Sequence, residues 1–357
     1  MANKEYKMGV IGLGMGINML PVNNRTDIPI KVTQISGVPA QKAMMADLEA
    51  KYGLDRCTDN FMEMIEDKDL DIIGVFSPDP LHYEHCKAAL EAGKHVVCTK
   101  PLVANLDHAK ELCSLVRKTG LKFMVGQTMR YEAQFAAIRK MYDDGELGDV
   151  FMGEAHYVHD MRPLLEATPW RGEMPQDLIY GGLAHPMDAM RWFFGDVEEV
   201  HALGNKSGFI KGVITGKEYP WQDNYMVNVK FKNGVIARCL GLYGLVHPPM
   251  PMMGINLYGT KGSAVAEFSD FEGGKVKATF DKYEIKSPFE SIYPPETEGA
   301  FGHGRTALRY MKHFGECLVN DTEPQPSIFE GAKTVAACAA AFESMNTGEI
   351  VKVFNEF

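Results

Sequence analysis

The sequence lacks the features of secreted, membrane and nucleic-acid-binding proteins. Its seven cysteines form no CxxC pair, so neither a disulfide framework nor a structural zinc site is indicated, and we expect reduced thiols and a cytoplasmic location. Lysine and arginine number 37 against 47 aspartate and glutamate, and the formal net charge of -10 disfavours binding to nucleic acid or to an anionic membrane. A small uncharged ligand is favoured instead.

Long apolar runs are also absent. Residues 335–342 form the longest run after the N-terminal region, far short of the roughly 18 residues that span a bilayer. Residues 8–17 have the apolar character of a signal peptide, but four glycines lie among them and no small-residue cleavage site follows. We therefore expect a buried strand and turn there, and no membrane segment.

The composition is that of a folded globular protein, with 45% hydrophobic and 24% charged residues. At 357 residues the chain is longer than one ordinary core, and roughly 100 to 200 residues per domain predicts two domains.

The first third alternates between strand and helix patterns. Apolar strands are predicted at residues 8–11, 30–35, 71–76, 95–98 and 121–125, and helices at residues 40–52, 82–92 and 107–118. Strands separated by helices of this length indicate a parallel, doubly wound sheet with right-handed crossovers.

A glycine cluster follows the first strand. Gly12, Gly14 and Gly16 let the backbone turn tightly and approach a pyrophosphate, which the first amides of the next helix bind. Ile17 stands where the GxGxxG pattern has its third glycine, and Pro21 is expected to kink or shorten the helix. The predicted dinucleotide contacts in this loop are Gly12, Leu13, Gly14, Met15, Gly16 and Ile17.

The second strand ends without the acidic residue that takes the adenosine ribose in NAD enzymes. Ser36 and Gly37 stand there, and no arginine is present to hold a ribose phosphate. We favour NAD, and NADP stays open.

The later part of the chain has the two-residue hydrophobic alternation of β-strands. Residues 224–231 alternate apolar and polar side chains, and Asn233-Gly234 predicts a hairpin turn into a strand at residues 235–240. An antiparallel sheet therefore follows the parallel one.

Several further motifs occur in order along the chain. They are Ser77-Pro78-Asp79 with His82, Ala92-Gly93-Lys94-His95-Val96 with Lys100-Pro101, Gly145-Glu146-Leu147-Gly148, Trp170-Arg171, Gly181-Gly182 before His185 and Asp188, Tyr258-Gly259-Thr260-Lys261-Gly262, Phe342-Glu343-Ser344 and Thr347-Gly348. Together they resemble the glucose-fructose oxidoreductase, inositol dehydrogenase and MocA family of nicotinamide-dependent sugar oxidoreductases, over essentially the whole chain.

The resemblance implies an NAD(P)-binding Rossmann domain over residues 1–127 and a substrate-binding α+β domain over residues 128–357. The second domain is expected to carry an open, mostly antiparallel sheet with substrate on one face and a homo-oligomer contact on the other, and the last helix is expected to pack on the first domain. The further cofactor contacts that we expect are Ser36, Ser77, Pro78, Asp79, His82, Thr99, Lys100, Gln127, Trp170 and Arg171.

The resemblance also implies two residues that act on the substrate hydroxyl. Lys100, before Pro101, corresponds to the lysine of a Glu-Lys-Pro motif and is expected to stabilise the developing alkoxide, although Thr99 replaces the glutamate. His185, before Pro186 at an expected helix start, is the expected general base, because imidazole titrates near neutral pH.

Many relatives carry an aspartate four residues before this histidine, where this chain has Gly181. Asp177, Tyr180 or the substrate itself is expected to take its place, and the division of labour between Lys100 and His185 stays open. The expected substrate contacts are Lys100, His159, Arg162, His185, Asp188 and Tyr243. No metal is expected, because His156 and His159 fall in a predicted strand, in which residues three apart point to opposite faces.

These features predict an NAD-dependent dehydrogenase that oxidises a secondary hydroxyl of a sugar, glycoside or cyclitol. Carbon 3 of a glucoside, giving a 3-keto sugar, is the favoured position. Two alternatives stay open. One is a redox-neutral lyase or glycosidase that oxidises its sugar transiently with tightly held NAD, and the other is a sugar-sensing regulator without chemistry.

Overall fold

The computed structural model describes residues 4–168, 170–174, 176–208, 210, 219–246, 248, 250–269, 273–281, 284–291 and 304–357. The chain divides into two compact units. Unit 1 comprises Met1–Thr128, Thr297–Ala332 and Phe357, and unit 2 comprises Met129–Glu296 and Lys333–Glu356. The first division falls beside the expected boundary, whereas the return of residues 304–332 to unit 1 differs from a single domain over residues 128–357.

The strands are β1 (Tyr6–Ile11), β2 (Ile30–Ser36), β3 (Arg56–Thr58), β4 (Ile72–Val75), β5 (His95–Thr99), β6 (Phe123–Gly126), β7 (Val150–Val158), β8 (Val197–Asn205), β9 (Asn224–Phe231), β10 (Ile236–Leu242), β11 (Met253–Gly259), β12 (Gly262–Ser269), β13 (Gly273–Phe280), β14 (Ile285–Ser291) and β15 (Val351–Lys352). The α-helices are α1 (Lys42–Tyr52), α2 (Phe61–Ile65), α3 (His82–Glu91), α4 (Leu106–Thr119), α5 (Ala133–Asp143), α6 (Arg162–Ala167), α7 (Trp170–Glu173), α8 (Leu178–Gly181), α9 (Ala184–Phe194), α10 (Gly304–Asn320) and α11 (Ile328–Thr347). Short 3-10 segments occupy Met15–Asn24, Pro39–Gln41, Asp79–Leu81 and Thr128–Tyr131.

Unit 1 is built on a six-stranded parallel sheet in the order β3-β2-β1-β4-β5-β6. This is the strand order of the dinucleotide-binding fold, and it confirms the predicted parallel sheet. β4 is buried along its whole length, as expected for a strand that has neighbours on both edges and cover on both faces.

Local signals in the sequence place the helices between these strands. The Asn105 side chain accepts hydrogen bonds from the first amides of α4, and Gly120 ends that helix with a left-handed backbone (φ 68°). The segment after β1 differs from the expected α-helix. It is a 3-10 helix throughout, with Pro21 inside it. The Tyr310 hydroxyl of α10 lies 3.0 Å from the sulfur of Met19 in this segment.

Unit 2 is built on a nine-stranded sheet in the order β14-β13-β12-β11-β7-β10-β9-β8-β15. All its described pairings are antiparallel except β7 with β10, which confirms a mostly antiparallel sheet. The predicted hairpin joins β9 to β10, with Gly234 at φ 88° and the Asn233 side chain accepting from the amide of Val235.

One face of this sheet is covered and the other is open. Tyr225, Val227, Val229 and Phe231 point into the core, while the residues between them are exposed. Helix α9 packs on β7 and β10, and Gly153 of β7 has no room for a side chain because a Cβ would lie 2.6 Å from the Phe194 ring.

Helix α9 is buried on nearly every side, so its charged residues require partners inside the unit. Both Asp188 oxygens accept hydrogen bonds from Arg130 at 2.7 Å, and Oδ1 also accepts from the Thr334 hydroxyl at 3.2 Å. Arg191 donates to the same hydroxyl at 2.9 Å. This buried ion pair holds α9 to the start of the unit and to α11. Across the described residues, no helix combines the length and apolarity that a membrane crossing requires.

We expect Asp188→Asn or Arg130→Met to lower the free energy of unfolding by about 3–5 kcal/mol, because each leaves a buried charge without its partner. The double variant Arg130→Met/Asp188→Leu should lose less than the sum of the single variants. Urea unfolding measures the free energy of unfolding of the single variants and of the double variant. Lys140→Met removes an exposed pair with Asp144 and should leave stability unchanged. Additive losses would contradict direct coupling of Arg130 and Asp188.

Candidate active site

In unit 1 the candidate residues follow the carboxyl ends of neighbouring parallel strands. Gly12 follows β1, Ser77 lies beyond β4, Lys100 follows β5 and Gln127 follows β6. Parallel pairing places these ends at one edge of the sheet, which is where ligands bind in this class of fold. The structure therefore brings together residues that are more than a hundred positions apart.

The glycine loop has the shape that a pyrophosphate requires. Gly12 has a positive φ of 94°, and a Cβ there would lie 2.5 Å from the carbonyl of Phe76. Gly14 has open space within 4 Å of a built Cβ and stands directly before the 3-10 segment, whose first amides have no helical partner. Gly16 packs against Val10, and a Cβ added at Gly16 would lie 2.7 Å from Cγ1 of Val10. It provides the close packing for which the usual pattern has a third glycine, and Ile17 is partly exposed.

The edge also holds an unsatisfied acceptor. The Gln127 side chain is buried, and its Oε1 receives no hydrogen bond from any residue that the structure describes. This oxygen is closed to solvent, so its missing partner does not mark a ligand contact. The glycine loop and the free first amides of the 3-10 segment are the features of unit 1 that fit the pyrophosphate of NAD.

The other predicted cofactor residues vary in exposure. Pro78, Asp79, Thr99 and Lys100 are half-buried, whereas Ser36 is buried at the end of β2. Ser36, which is not acidic, stands at the end of β2 where NAD enzymes usually carry the ribose-binding acid. Contact of these residues with the cofactor stays a prediction.

His82 corrects one expectation. It is completely buried, and both of its ring nitrogens lie at hydrogen-bond distance from backbone carbonyl oxygens of Ser77 and Pro101. The Ser77 hydroxyl is engaged as well, at 2.8 Å from Nδ1 of His85. Both ring nitrogens of His82 are therefore engaged by the loops of this edge, which leaves neither nitrogen for the expected cofactor contact.

In unit 2 the candidate residues gather around a residue that was not predicted. The Tyr157 ring meets the His185 ring edge-on at 4.9 Å, stacks on His159 at 5.8 Å and meets Tyr243 at 5.8 Å. His185 lies in the first turn of α9, which begins at Ala184, so Pro186 is the third helical residue and not the expected first. The alternation of buried and less buried residues along β7 is the sequence signal that could have placed Tyr157 on the buried face of this strand.

Tyr243 is enclosed by glycines. A Cβ on Gly182 would lie 2.3 Å from the Tyr243 hydroxyl oxygen, and one on Gly241 would lie 2.7 Å from it. The ring is fully buried, and its hydroxyl makes no hydrogen bond to any described residue. Gly182, part of the predicted Gly181-Gly182 motif, thus makes room for a tyrosine with an unused hydroxyl.

The remaining candidates are engaged elsewhere. Asp188 was expected to contact substrate, but it is buried and bound by Arg130 and Thr334, so we correct that assignment. Arg162 forms a two-pronged pair with Asp160 at 3.0 and 2.7 Å, which raises the pKa of the guanidinium. The Arg171 guanidinium lies over the Trp170 ring at 4.2 Å.

The structure also describes the surroundings of Asp177 and Tyr180, the residues expected to take the place of the missing aspartate. Oδ1 of Asp177 accepts from the Tyr225 hydroxyl at 2.6 Å and from the amide of Ile179 at 2.9 Å, and burial raises the pKa of its carboxyl. Tyr180 is half-buried, and burial raises the pKa of its hydroxyl. His156 Nε2 lies 3.1 Å from the Pro251 carbonyl oxygen, and within the described ranges no group of three or more His, Cys, Asp or Glu is arranged for a metal ion.

Comparisons with known proteins agree with this division. Residues 6–127 match the family model described as an oxidoreductase family with an NAD-binding Rossmann fold. Residues 135–265 match the C-terminal domain of the GFO/IDH/MocA proteins. Both matches belong to one family and lie in separate units.

Two curated relatives and one solved structure extend the similarity over the chain. A levoglucosan dehydrogenase from Pseudarthrobacter phenanthrenivorans is 23% identical, covering 85% of each chain. Inositol 2-dehydrogenase 3 from Saccharopolyspora erythraea is 26% identical over 97% of this chain and 95% of its own. A structure of levoglucosan dehydrogenase in complex with NADH superposes with a TM-score of 0.85 at 20% identity, covering 98% of this chain and 100% of that one, and shows the same fold.

We expect Gly14→Ala to leave the melting temperature of the cofactor-free protein unchanged while weakening NADH binding, because the added methyl enters open space where the pyrophosphate approaches. Gly12→Ala should lower the melting temperature even without cofactor, because its Cβ meets backbone. Thermal unfolding and NADH fluorescence titration measure the two effects. Parent-like NADH affinity in Gly14→Ala would remove this loop from the binding site.

Proposed function

Because the chain belongs to the Gfo/Idh/MocA family of oxidoreductases, we propose that it oxidises a secondary hydroxyl of a sugar, glycoside or cyclitol with NAD as the hydride acceptor. The observation that carries the proposal is the group of His185, His159 and Tyr243 around Tyr157, in a chain that also has the NAD-binding fold. The names of the relatives, levoglucosan dehydrogenase and inositol 2-dehydrogenase, denote uncharged polyhydroxy compounds and support that substrate class.

In this proposal two residues act on the substrate hydroxyl. NAD, when bound, supplies the carbon that accepts the hydride. His185, whose ring is buried against Tyr157, accepts the hydroxyl proton on a ring nitrogen. Lys100 donates a hydrogen bond to the oxygen as negative charge develops on it. The amides at the start of the 3-10 segment bind the pyrophosphate.

The missing aspartate calls for another way to orient His185. Oδ1 of Asp177 is bound to Tyr225 and Ile179, and we propose that edge-on packing against Tyr157 contributes to the orientation of the imidazole. The Tyr243 hydroxyl is fully buried, so the expected substrate contact at Tyr243 requires the residues that cover this hydroxyl to move.

For the position of oxidation we propose carbon 3 of a glucoside. The support is the pair of departures from the family pattern, Thr99 before Lys100 and Gly181 before His185, which resemble members that make 3-keto sugars. An uncharged glucoside also agrees with the net charge of -10.

We further propose that the open face of the unit 2 sheet joins two copies of the chain. Leu203, Met226 and Leu240 stand opposite one another on β8, β9 and β10 and form an apolar row on that face. Leu203 and Met226 are well exposed, and Ile236 adds to the patch. For the location we propose the cytoplasm, supported by seven free cysteines.

The activity is tested by following NADH formation over a panel of glucosides, free sugars and inositols, with NMR of the product. We expect a glucoside to be oxidised at carbon 3, and Lys100→Ala and His185→Ala each to lower kcat/KM by about 10²- to 10⁴-fold. Lys68→Ala, an exposed lysine of the same unit, should have parent-like activity.

Other outcomes would identify a different function. Cofactor that survives gel filtration, with product formed but no net NADH, would indicate the redox-neutral lyase or glycosidase. Sugar binding without turnover of any panel member would indicate a regulator. Oxidation of inositol or a free aldose in place of glucosides would overturn the choice of carbon 3 only.

The assembly is tested at one exposed methionine. We expect Met226→Arg, 43% exposed in this structure, to shift the protein to a lower mass in light scattering, because a buried unpaired charge opposes association. Met44→Arg, 44% exposed on α1, is the matched control and should keep the parent mass. A parent mass for Met226→Arg would place the contact elsewhere.

A further inference from the structure

His82 has an unusual pair of hydrogen-bond partners. It is the first residue of α3 and is 0% exposed. Its Nδ1 lies 2.8 Å from the carbonyl oxygen of Pro101, and its Nε2 lies 3.0 Å from the carbonyl oxygen of Ser77. A carbonyl oxygen only accepts hydrogen bonds, and a neutral imidazole has only one N–H. Satisfying both contacts therefore requires the imidazolium cation.

The two carbonyls belong to different loops of the candidate cofactor edge. Ser77 lies two residues beyond β4, and Pro101 lies two residues beyond β5, directly after Lys100. Neighbouring loops of a parallel sheet have no ladder hydrogen bonds of their own, so a side chain that donates to both joins them. His82 is such a side chain, and it reaches the peptide group next to Lys100.

The surroundings of His82 favour a charge there despite burial. Burial lowers the pKa of its imidazole, whereas Cys98, Asp79 and the Pro101 carbonyl raise it, and the net direction is upward from 6.5. Burial raises the pKa of the Cys98 thiol well above its usual value, and the neighbouring His82 lowers it. Asp79 and the two carbonyl oxygens are then the partners of the cation, against the unfavourable N-terminal end of α3.

One helical turn further, His85 is in the opposite state. Burial and the neighbouring His82 lower the pKa of His85 to about 4, so this imidazole is neutral. Its Nδ1 lies 2.8 Å from the Ser77 hydroxyl, and its ring packs on Phe61 at 4.3 Å. Ser77 is thus held through its carbonyl by His82 and through its hydroxyl by His85.

We propose that His82 is a positively charged positioning residue that ties Ser77 to Pro101 and so fixes the backbone that carries Lys100. The charge and the bridge between the loops stand on the geometry of unit 1 alone. The consequence for Lys100 rests on the proposed dehydrogenase function.

The protonation state is tested directly by NMR of the full chain labelled with ¹⁵N-histidine. At pH 8 we expect two N–H ring nitrogens for His82, whereas His85 should show one N–H and one bare nitrogen. The signals are assigned with His82→Gln and His85→Gln, or by backbone-linked assignment of the parent if a variant does not fold. A bare ring nitrogen on His82 at pH 8 would overturn the proposal.

A second test follows stability against pH. A group whose pKa is raised on folding stabilises the protein fully below its unfolded pKa of 6.5 and loses that effect as pH rises through its raised folded pKa. The melting temperature of the parent should therefore exceed that of His82→Gln most at pH 6, and the difference should shrink by pH 9.5. For His85→Gln no such change is expected above pH 7, because the folded pKa is about 4. A constant difference for His82→Gln would rule out the titration.

The effect on Lys100 is tested by kinetics. We expect His82→Gln to lower kcat by about 10- to 100-fold with a smaller change in the KM of NAD, because a displaced Lys100 affects the reacting oxygen most. Parent-like kcat would refute the positioning role. If no panel substrate is oxidised by the parent, the proposed function fails, while the NMR and stability results still decide the charge and the bridge.

Discussion

The candidate cofactor site depends on one constraint, the parallel hydrogen bonding of the six strands in unit 1. Parallel pairing puts the carboxyl ends of β1, β4, β5 and β6 at the same edge, and each loop that leaves this edge carries one part of the site. The glycine turn comes from the first loop, Lys100 from the third and Gln127 from the fourth. Their sequence positions are far apart, and only the sheet makes them neighbours.

Both units contain a buried charged side chain that is held by fixed partners. In unit 1 the His82 cation lies between carbonyl oxygens, and in unit 2 the Asp188 carboxylate lies against Arg130. A charge removed from water requires partners that are held in place, and it is costly when one of them moves. Such groups resist small displacements of the segments that they join. These segments carry Lys100 in one unit and the helix of His185 in the other.

The fold was largely predictable because its signals are local. The period of two in residues 224–231, the Asn233-Gly234 turn and the alternation of strand and helix before residue 127 all depend on neighbours in sequence. Pro21 marked a departure from α-helix but not the 3-10 geometry that replaced it. The return of residues 304–332 to unit 1 depends on packing between distant segments, which periodicity does not encode.

The sequence by itself determined the glycine turn and the parallel and antiparallel halves, because residue periodicity and turn chemistry are local properties, and its resemblance to a known family singled out Lys100 and His185 as candidates. The tertiary structure decided what each candidate touches. Asp188 pairs with Arg130, and Tyr157 lies among His185, His159 and Tyr243. His82, an expected cofactor contact, bridges two loops. These assignments depend on which distant atoms come within hydrogen-bond or ring-contact distance, and only the folded chain sets those distances.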